Sequence, residues 1–142
     1  MEKRIVVDTN VLVSAVLSPD GAAREVLRQC LAGAAQPLIG NALFLEYEDF
    51  LSREELFAEA LIGPEERTAL MDAVLGVCQW INISYLWRPN LPDESDNHLV
   101  ELAVAGNAAW IVTGNVRDVA EGELVFDGFR VVTPGEWLKG DN

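Results

Sequence analysis

Short β-branched apolar runs alternate with helix-patterned segments along the whole chain, and this alternation restricts the possible folds more than any other feature. The apolar runs are "RIVV" at residues 4–7, "PLIG" at 37–40, "AWIVT" at 109–113 and "FRVVT" at 129–133. Strands that alternate with helices are typical of βαβ units, in which neighbouring strands run parallel. The sequence therefore predicts an α/β fold built around a parallel sheet.

Capping residues and helix breakers set the expected limits of the helices. Asn41 is a good N-cap for a helix over residues 42–51, and Pro64 suits the first position of a later helix. The stretch "PDESDNHLVELAVAG" has acidic residues in its first turn and Gly106 at its end. These signals predict a helix that directly precedes the "AWIVT" strand.

Length and composition narrow the class of protein. At 142 residues and 15.6 kDa the chain suits a single domain over residues 1–142, and a hydrophobic fraction of 50% is typical of a globular protein. No apolar run approaches the roughly 20 residues that span a bilayer, and the N-terminus lacks the pattern of a signal peptide. We therefore expect a cytoplasmic protein with no membrane association.

The charge balance bears on nucleic-acid binding. Ten Lys and Arg against 23 Asp and Glu give a formal net charge of −13, whereas proteins that bind polyanions usually have a basic face. A nucleic-acid partner would therefore have to bind through metal ions or local arginines. A strongly acidic surface also keeps a protein soluble, and this plainer interpretation stays open.

The stretch "RIVVDTNVLVSA" places a carboxylate, that of Asp8, at the carboxyl end of the first strand. In an open parallel sheet the ligand crevice lies outside the carboxyl ends of the strands, near the point where the strand order reverses. Asp8 is thus a candidate ligand-binding residue. The alternative is a structural role, because Asp, Thr and Asn are all good helix caps.

Three more acids recur at comparable positions. Glu46 borders the apolar stripe of its helix, Asp96 lies in the first turn of the helix before "AWIVT", and Asp118 follows the turn after that strand. If these acids lie close to Asp8, a positive charge must compensate their mutual repulsion, since two like charges roughly 4 Å apart repel by about 4 kcal/mol at an effective dielectric of about 20. Mg²⁺ or Mn²⁺, which prefer oxygen ligands, would supply that positive charge and could polarise a phosphodiester.

These residues resemble the PIN domain, the nuclease fold of VapC-type bacterial toxins and of ribosomal RNA processing factors. The similarity is carried by "VVDTNVLVSA", "EYEDFLSREEL", "DESDNHLVELAVAGNAAWIVTGNVRDV" and "VVTPGEWL". It implies a three-layer α/β/α fold, in which helices flank a central parallel sheet of about four to five strands. It also implies a metal-dependent endoribonuclease, in which water activated by Mg²⁺ or Mn²⁺ hydrolyses RNA. Toxins of this type pair with a cognate antitoxin protein and commonly form homodimers.

The resemblance also assigns the acids of the metal site. Carried over residue by residue, it implies that Asp8, Glu46 and Asp96 are the first three acids. Many PIN domains have an Asp directly after the strand where this chain has Asn115. Asp118 would therefore complete the site as the last acid.

Polar neighbours are expected beside these acids. Asn10, Thr113 and Asn115 are the supporting residues, and the first two would orient ligands or water. His98 follows Asp96 by two positions, so on a helix it should point about 200° away, and we expect a structural or surface role for it. The low basic content and Asn115 keep open an alternative function, a catalytically silent PIN-like module that binds proteins.

Overall fold

Five parallel strands form the central sheet. The computed structural model describes residues 3–58, 60, 62–83, 97–115 and 128–140, and the statements below refer to these residues. The strands are β1 (Arg4–Val7), β2 (Gln36–Ile39), β3 (Gln79–Trp80), β4 (Trp110–Val112) and β5 (Arg130–Val132). They pair in the order β3-β2-β1-β4-β5, and every pair is parallel.

Helices connect the strands and flank the sheet. They are α1 (Thr9–Leu17), α2 (Ala22–Leu31), α3 (Asn41–Leu51), a 3-10 helix (Glu54–Phe57), α4 (Pro64–Val77), α5 (Asn97–Ala105) and α6 (Pro134–Leu138). The parallel sheet with its flanking helices confirms the predicted three-layer α/β/α fold. Its five strands agree with the four to five that were expected.

Local sequence signals account for some of the helix ends. Pro64 occupies the first position of α4, as predicted. The prediction for Asn41 is wrong, because Asn41 is already the first residue of α3 and Gly40 is its N-cap. The extended backbone of β2 continues to Gly40 and turns into the helix directly after it, so no capping side chain stands at this end. The acidic start of the predicted helix at "PDESD" lies outside the described residues.

The strand order creates a switch point beside β1. From β1 the chain moves to β2 and β3 on one side of the sheet, and β4 and β5 are then added on the other side. The connections that leave β1 and β4 therefore diverge, which opens a crevice at the carboxyl ends of these two strands. Asp8 follows β1 and Thr113 follows β4, so both residues lie at this crevice.

A single apolar core stands behind the crevice. Ile5, Val6, Leu38 and Ile111 on the strands are fully buried, as is Leu99 on α5, which packs against β1, β2 and β4. This core holds the strand ends rigidly in place. Within the part of the chain that the structure describes, no helix has the length and apolar character required to cross a membrane.

Candidate active site

Asp8 is a buried carboxylate that does not cap a helix. It occupies the N-cap position of α1, yet its side chain makes no capping hydrogen bond, and the residue is only 6% exposed. Oδ2 instead accepts hydrogen bonds from Thr113 Oγ1 at 2.7 Å and from Asn10 Nδ2 at 3.3 Å. The helix-capping alternative for Asp8 therefore fails, because its carboxylate accepts these hydrogen bonds at the crevice between β1 and β4.

Thr113 delivers a directed hydrogen bond to Asp8. Its hydroxyl is fully buried and accepts from the backbone N–H of Asn115 at 3.0 Å and from Asn10 Nδ2 at 3.4 Å. A threonine hydroxyl has one proton and two lone pairs, so these two donors leave its proton for the Asp8 carboxylate. Asn10 also accepts from the backbone N–H of Gly114 at 3.0 Å, which ties the start of α1 to the end of β4.

The electrostatic environment of Asp8 disfavours its negative charge. Burial raises the pKa of the Asp8 carboxyl, and repulsion from Glu46 raises it further, while the hydrogen bond from Thr113 acts in the opposite direction. Asp8 and Glu46 line the same cavity, so the charge of Glu46 lies near that of Asp8. Charges of one sign gathered in a buried crevice are stabilised by a cation.

Glu46 is held by donors from two other helices. Thr9 Oγ1, in the first turn of α1, donates a hydrogen bond to Oε1, and His98 Nε2, on α5, lies 3.2 Å from Oε2. The next residue, Tyr47, is buried, and its hydroxyl donates to the backbone carbonyl of Val7 at 2.5 Å. These contacts place the Glu46 carboxylate beside the residue that follows β1, which is Asp8.

Part of this arrangement has no counterpart in the sequence pattern. Of the structural and surface roles expected for His98, the structure agrees with the first, because its side chain is mostly buried and contacts Glu46. A helical angle counted from Asp96 could not reveal this contact, since it joins two helices that are distant in sequence. Thr9 lies inside the "DTN" stretch, directly after Asp8, and this position is a sequence signal for a role in the site. No sequence signal distinguishes Tyr47 from an ordinary core aromatic.

Two adjoining cavities open over these residues. The first, of about 390 Å³, is lined by Asp8, Glu46 and Asn115 among others. The second, of about 450 Å³, shares Asn10 and Ser14 with the first and continues past the start of α2 toward α6. The carboxylates of Asp8 and Glu46 thus lie in an elongated groove and not in a closed pocket.

Comparison with known families identifies the family of the chain that forms this groove. The sequence matches the PIN domain over residues 4–117 of the 142. The chain belongs to the PIN-domain family. PIN domains are in general nucleases, so membership supports a hydrolase.

A solved structure shares the fold of this PIN domain. The crystal structure of VapBC2 from Rickettsia felis bound to a DNA fragment from their promoter contains a similar chain, with a TM-score of 0.58 and 14% sequence identity. The alignment covers 90% of this PIN domain and 98% of that chain. No curated protein has significant sequence similarity to the chain.

The structure brings together two of the four predicted acids of this PIN domain. Asp8 and Glu46 line one cavity with the predicted supporting residues Asn10 and Asn115, and Thr113 donates a hydrogen bond to Asp8. Asp96 and Asp118 lie outside the described residues. Among residues 3–58, 60, 62–83, 97–115 and 128–140, no group of three or more His, Cys, Asp or Glu side chains is placed to hold a metal ion.

Proposed function

We propose that the protein is a metal-dependent endoribonuclease that hydrolyses RNA phosphodiester bonds. The observation that carries this proposal is the environment of Asp8, a buried carboxylate without a capping role that shares a cavity with Glu46 at the switch point of the sheet. Burying a carboxylate beside another one opposes folding unless a counter-charge is present. Carboxylates in such environments cluster at functional sites.

The donor set fits a hard divalent cation. Asp8 and Glu46 offer carboxylate oxygens, which Mg²⁺ and Mn²⁺ prefer over nitrogen or sulfur ligands. Asp96 and Asp118 are proposed as the further acids of the same site. When bound, the cation supplies Lewis acidity and lowers the pKa of water at the scissile phosphate.

The surrounding residues hold these ligands in position. The hydroxyl of Thr113 donates a hydrogen bond to Asp8, and this bond favours the charged form of the carboxylate. Thr9 and His98 contact separate oxygens of Glu46, which limits rotation of the carboxylate. Ligands restrained in this way lose less conformational entropy when a cation binds.

The groove supports a single-stranded substrate. Its two cavities join at Asn10 and Ser14, which gives an extended path past the carboxylates. A divalent cation would also locally reverse the field of a chain whose formal charge is −13, which otherwise repels a phosphate backbone. The choice of RNA rests on the PIN-domain resemblance.

We propose a toxin–antitoxin context for this activity. The support is the fold shared with the VapBC2 structure from Rickettsia felis. The partner would be a cognate antitoxin protein, and the toxin itself would form a homodimer in the cytoplasm. Exposed apolar side chains such as Leu45 and Trp80 offer surface for either association.

A second candidate is a catalytically silent PIN-like module that acts by protein binding. Asn115 favours it, because this residue lines the cavity with an amide where many PIN domains have a carboxylate. Fewer charged ligands would weaken binding of a cation. Such a module would have no response to Mn²⁺.

A paired measurement tests the proposed function. We would record melting curves with and without excess Mn²⁺, and cleavage of a mixed RNA pool, for wild type, Asp8→Asn and Glu46→Gln. Glu48→Gln is the matched control, since Glu48 lies on the same helix with an exposed side chain. We expect a rise in melting temperature and RNA cleavage in wild type and control, and loss of both in the other two variants.

The outcomes separate the candidates. If the wild-type protein binds Mn²⁺ but cuts no RNA, the proposal of an RNA substrate is refuted and the proposal of a metal site still holds. A protein with neither property would favour the silent module. Cleavage that survives in Asp8→Asn after rigorous purification would remove Asp8 from the proposed active site.

A further inference from the structure

We propose that a third cavity, between the start of α3 and the face of α5, binds a guanine base of the substrate and gives cleavage a sequence preference. This inference rests on the proposed function. The cavity has a volume of about 260 Å³, which is below the roughly 300–1,000 Å³ of ordinary ligand pockets. It therefore suits one planar ring system and not a longer stretch of nucleic acid.

Glu101 is the feature that points to a ligand. It lines the cavity, and although the residue is only 7% exposed, its carboxylate oxygens are not among the fully buried polar atoms, so they open to the cavity. None of the described residues donates a hydrogen bond to this carboxylate or forms an ion pair with it. Buried carboxylates are normally paired, because an unpaired one loses hydration without compensation. A ligand with N–H donors would provide the missing partners.

The start of α3 supplies the opposite half of a hydrogen-bonding site. Residues 40–43 line the cavity, and the first N–H groups of a helix have no acceptor within the helix. The N-cap is Gly40, and no side chain caps this end within the described part of the chain. The cavity thus presents backbone donors on one side and the Glu101 carboxylate on the other.

Guanine matches this combination of groups. Its N1–H and 2-amino groups stand side by side and can both donate to one carboxylate, while its O6 can accept from a backbone N–H. Leu43, Ile83 and Leu102 provide apolar walls for the faces of the ring. An arginine side chain from a protein partner fits less well, because a guanidinium has only donors and would meet the positive end of α3.

The cavity is within reach of a nucleotide bound at the carboxylates. His98 lines it, and the Nε2 atom of the same ring lies 3.2 Å from Glu46 Oε2. Glu101 follows His98 by three residues, so it lies about one helical turn, or roughly 5 Å, farther along the same face of α5. A base next to the scissile phosphate can therefore enter the cavity while its backbone stays in the groove.

Cleavage of matched substrates tests the inference. Cut sites would be mapped on a randomised single-stranded RNA with Mn²⁺, and the preferred substrate would then be made with inosine in place of the favoured guanine. Inosine keeps O6 and N1–H but has no 2-amino group. We expect this change to lower kcat/KM about tenfold in wild type, as for loss of one hydrogen bond to a charged group. Glu101→Gln should cut both substrates at similar rates, and Glu48→Gln should behave as wild type.

A binding measurement distinguishes failure of this inference from failure of the proposed function. Guanosine monophosphate, without divalent cations, should raise the melting temperature of wild type and not that of Glu101→Gln. The variant Ile83→Trp, which fills the cavity from its partly exposed rim, should lose the same response if Glu101→Gln folds poorly. If wild type cuts no RNA, the proposed function fails, and this response alone decides the guanine site.

Three results would overturn the guanine assignment. One is RNA cleavage with no base preference. Another is a base preference that is unchanged in Glu101→Gln. The third is a melting response to N-acetylarginine amide, lost in Glu101→Gln, without any response to guanosine monophosphate, which would assign the cavity to a basic side chain of a protein partner.

Discussion

The hydroxyl of Thr113 donates a 2.7 Å hydrogen bond to Oδ2 of Asp8, and this bond joins the carboxyl ends of β4 and β1 across the switch point of the sheet. The bond favours the charged form of Asp8, against the effect of burial. It therefore connects the strand order directly to the charge state of the proposed metal ligand.

Loss of this bond should weaken Mn²⁺ binding. Thr113→Val keeps the shape of the buried side chain but removes both the donor to Asp8 and the acceptor for the Asn115 N–H. We expect the Mn²⁺ affinity, measured by calorimetric titration, to fall about tenfold, as for other groups that orient metal ligands. Thr113→Ser, which keeps the hydroxyl, should bind nearly as wild type. Equal affinities in wild type and Thr113→Val would contradict the orienting role.

Asp8→Asn should stabilise the protein in the absence of metal. Because the pKa of Asp8 is raised in the folded chain, the folded state keeps its proton to higher pH than the unfolded state does. The free energy of unfolding of wild type therefore carries a component that decreases as pH rises from the unfolded value of 3.8 through the raised folded value. Asp8→Asn lacks this component.

Melting curves at several pH values check this expectation. The variant should melt about 2–5 °C above wild type at neutral pH, and the difference should shrink below the unfolded pKa of Asp8. Excess Mn²⁺ should reverse the order of stability. A variant that melts below wild type at neutral pH without metal would show that the Asp8 charge is already compensated within the chain.

Much of the fold was predictable because each element carries a local signal. The apolar run of β1 and the Pro64 start of α4 are properties of short sequence windows, and the structure reproduces both. The strand order is not a local property, since β1 pairs with β4 across more than a hundred residues. The sequence could place Asp8 at the end of a strand but could not show that Thr113 would stand beside it.

The candidate site was likewise predictable from the sequence only where a residue carries a local signal. Glu46 was recognisable because its position borders an apolar helical stripe, and its partly buried side chain agrees with that pattern. His98 was assigned a structural or surface role, because its contact with Glu46 depends on how α5 packs against α3. Glu101 gave no signal, since a glutamate within an apolar helix is ordinarily an exposed residue.

Tyr47→Phe should destabilise the end of β1. Burial raises the pKa of Tyr47 well above its ordinary value of 10.0, so the hydroxyl stays protonated and donates to the Val7 carbonyl at any working pH. We expect the variant to lose about 1–2 kcal/mol of unfolding free energy. Denaturant titration would show this as a lower midpoint with an unchanged slope. An unchanged midpoint would mean that water replaces the hydroxyl at Val7.

His98 should act as a positioning residue for Glu46 and not as a buried filler. His98→Phe keeps an aromatic ring on α5 but removes the nitrogen that lies 3.2 Å from Glu46 Oε2, whereas His98→Gln keeps a donor. If His98 orients the carboxylate, His98→Phe should lower Mn²⁺ affinity about tenfold with little change in metal-free stability, and His98→Gln should recover most of the affinity. Calorimetric titration and melting of the metal-free proteins measure the two properties separately. If both variants lose stability and keep the wild-type Mn²⁺ affinity, His98 serves only to pack α5 against α3.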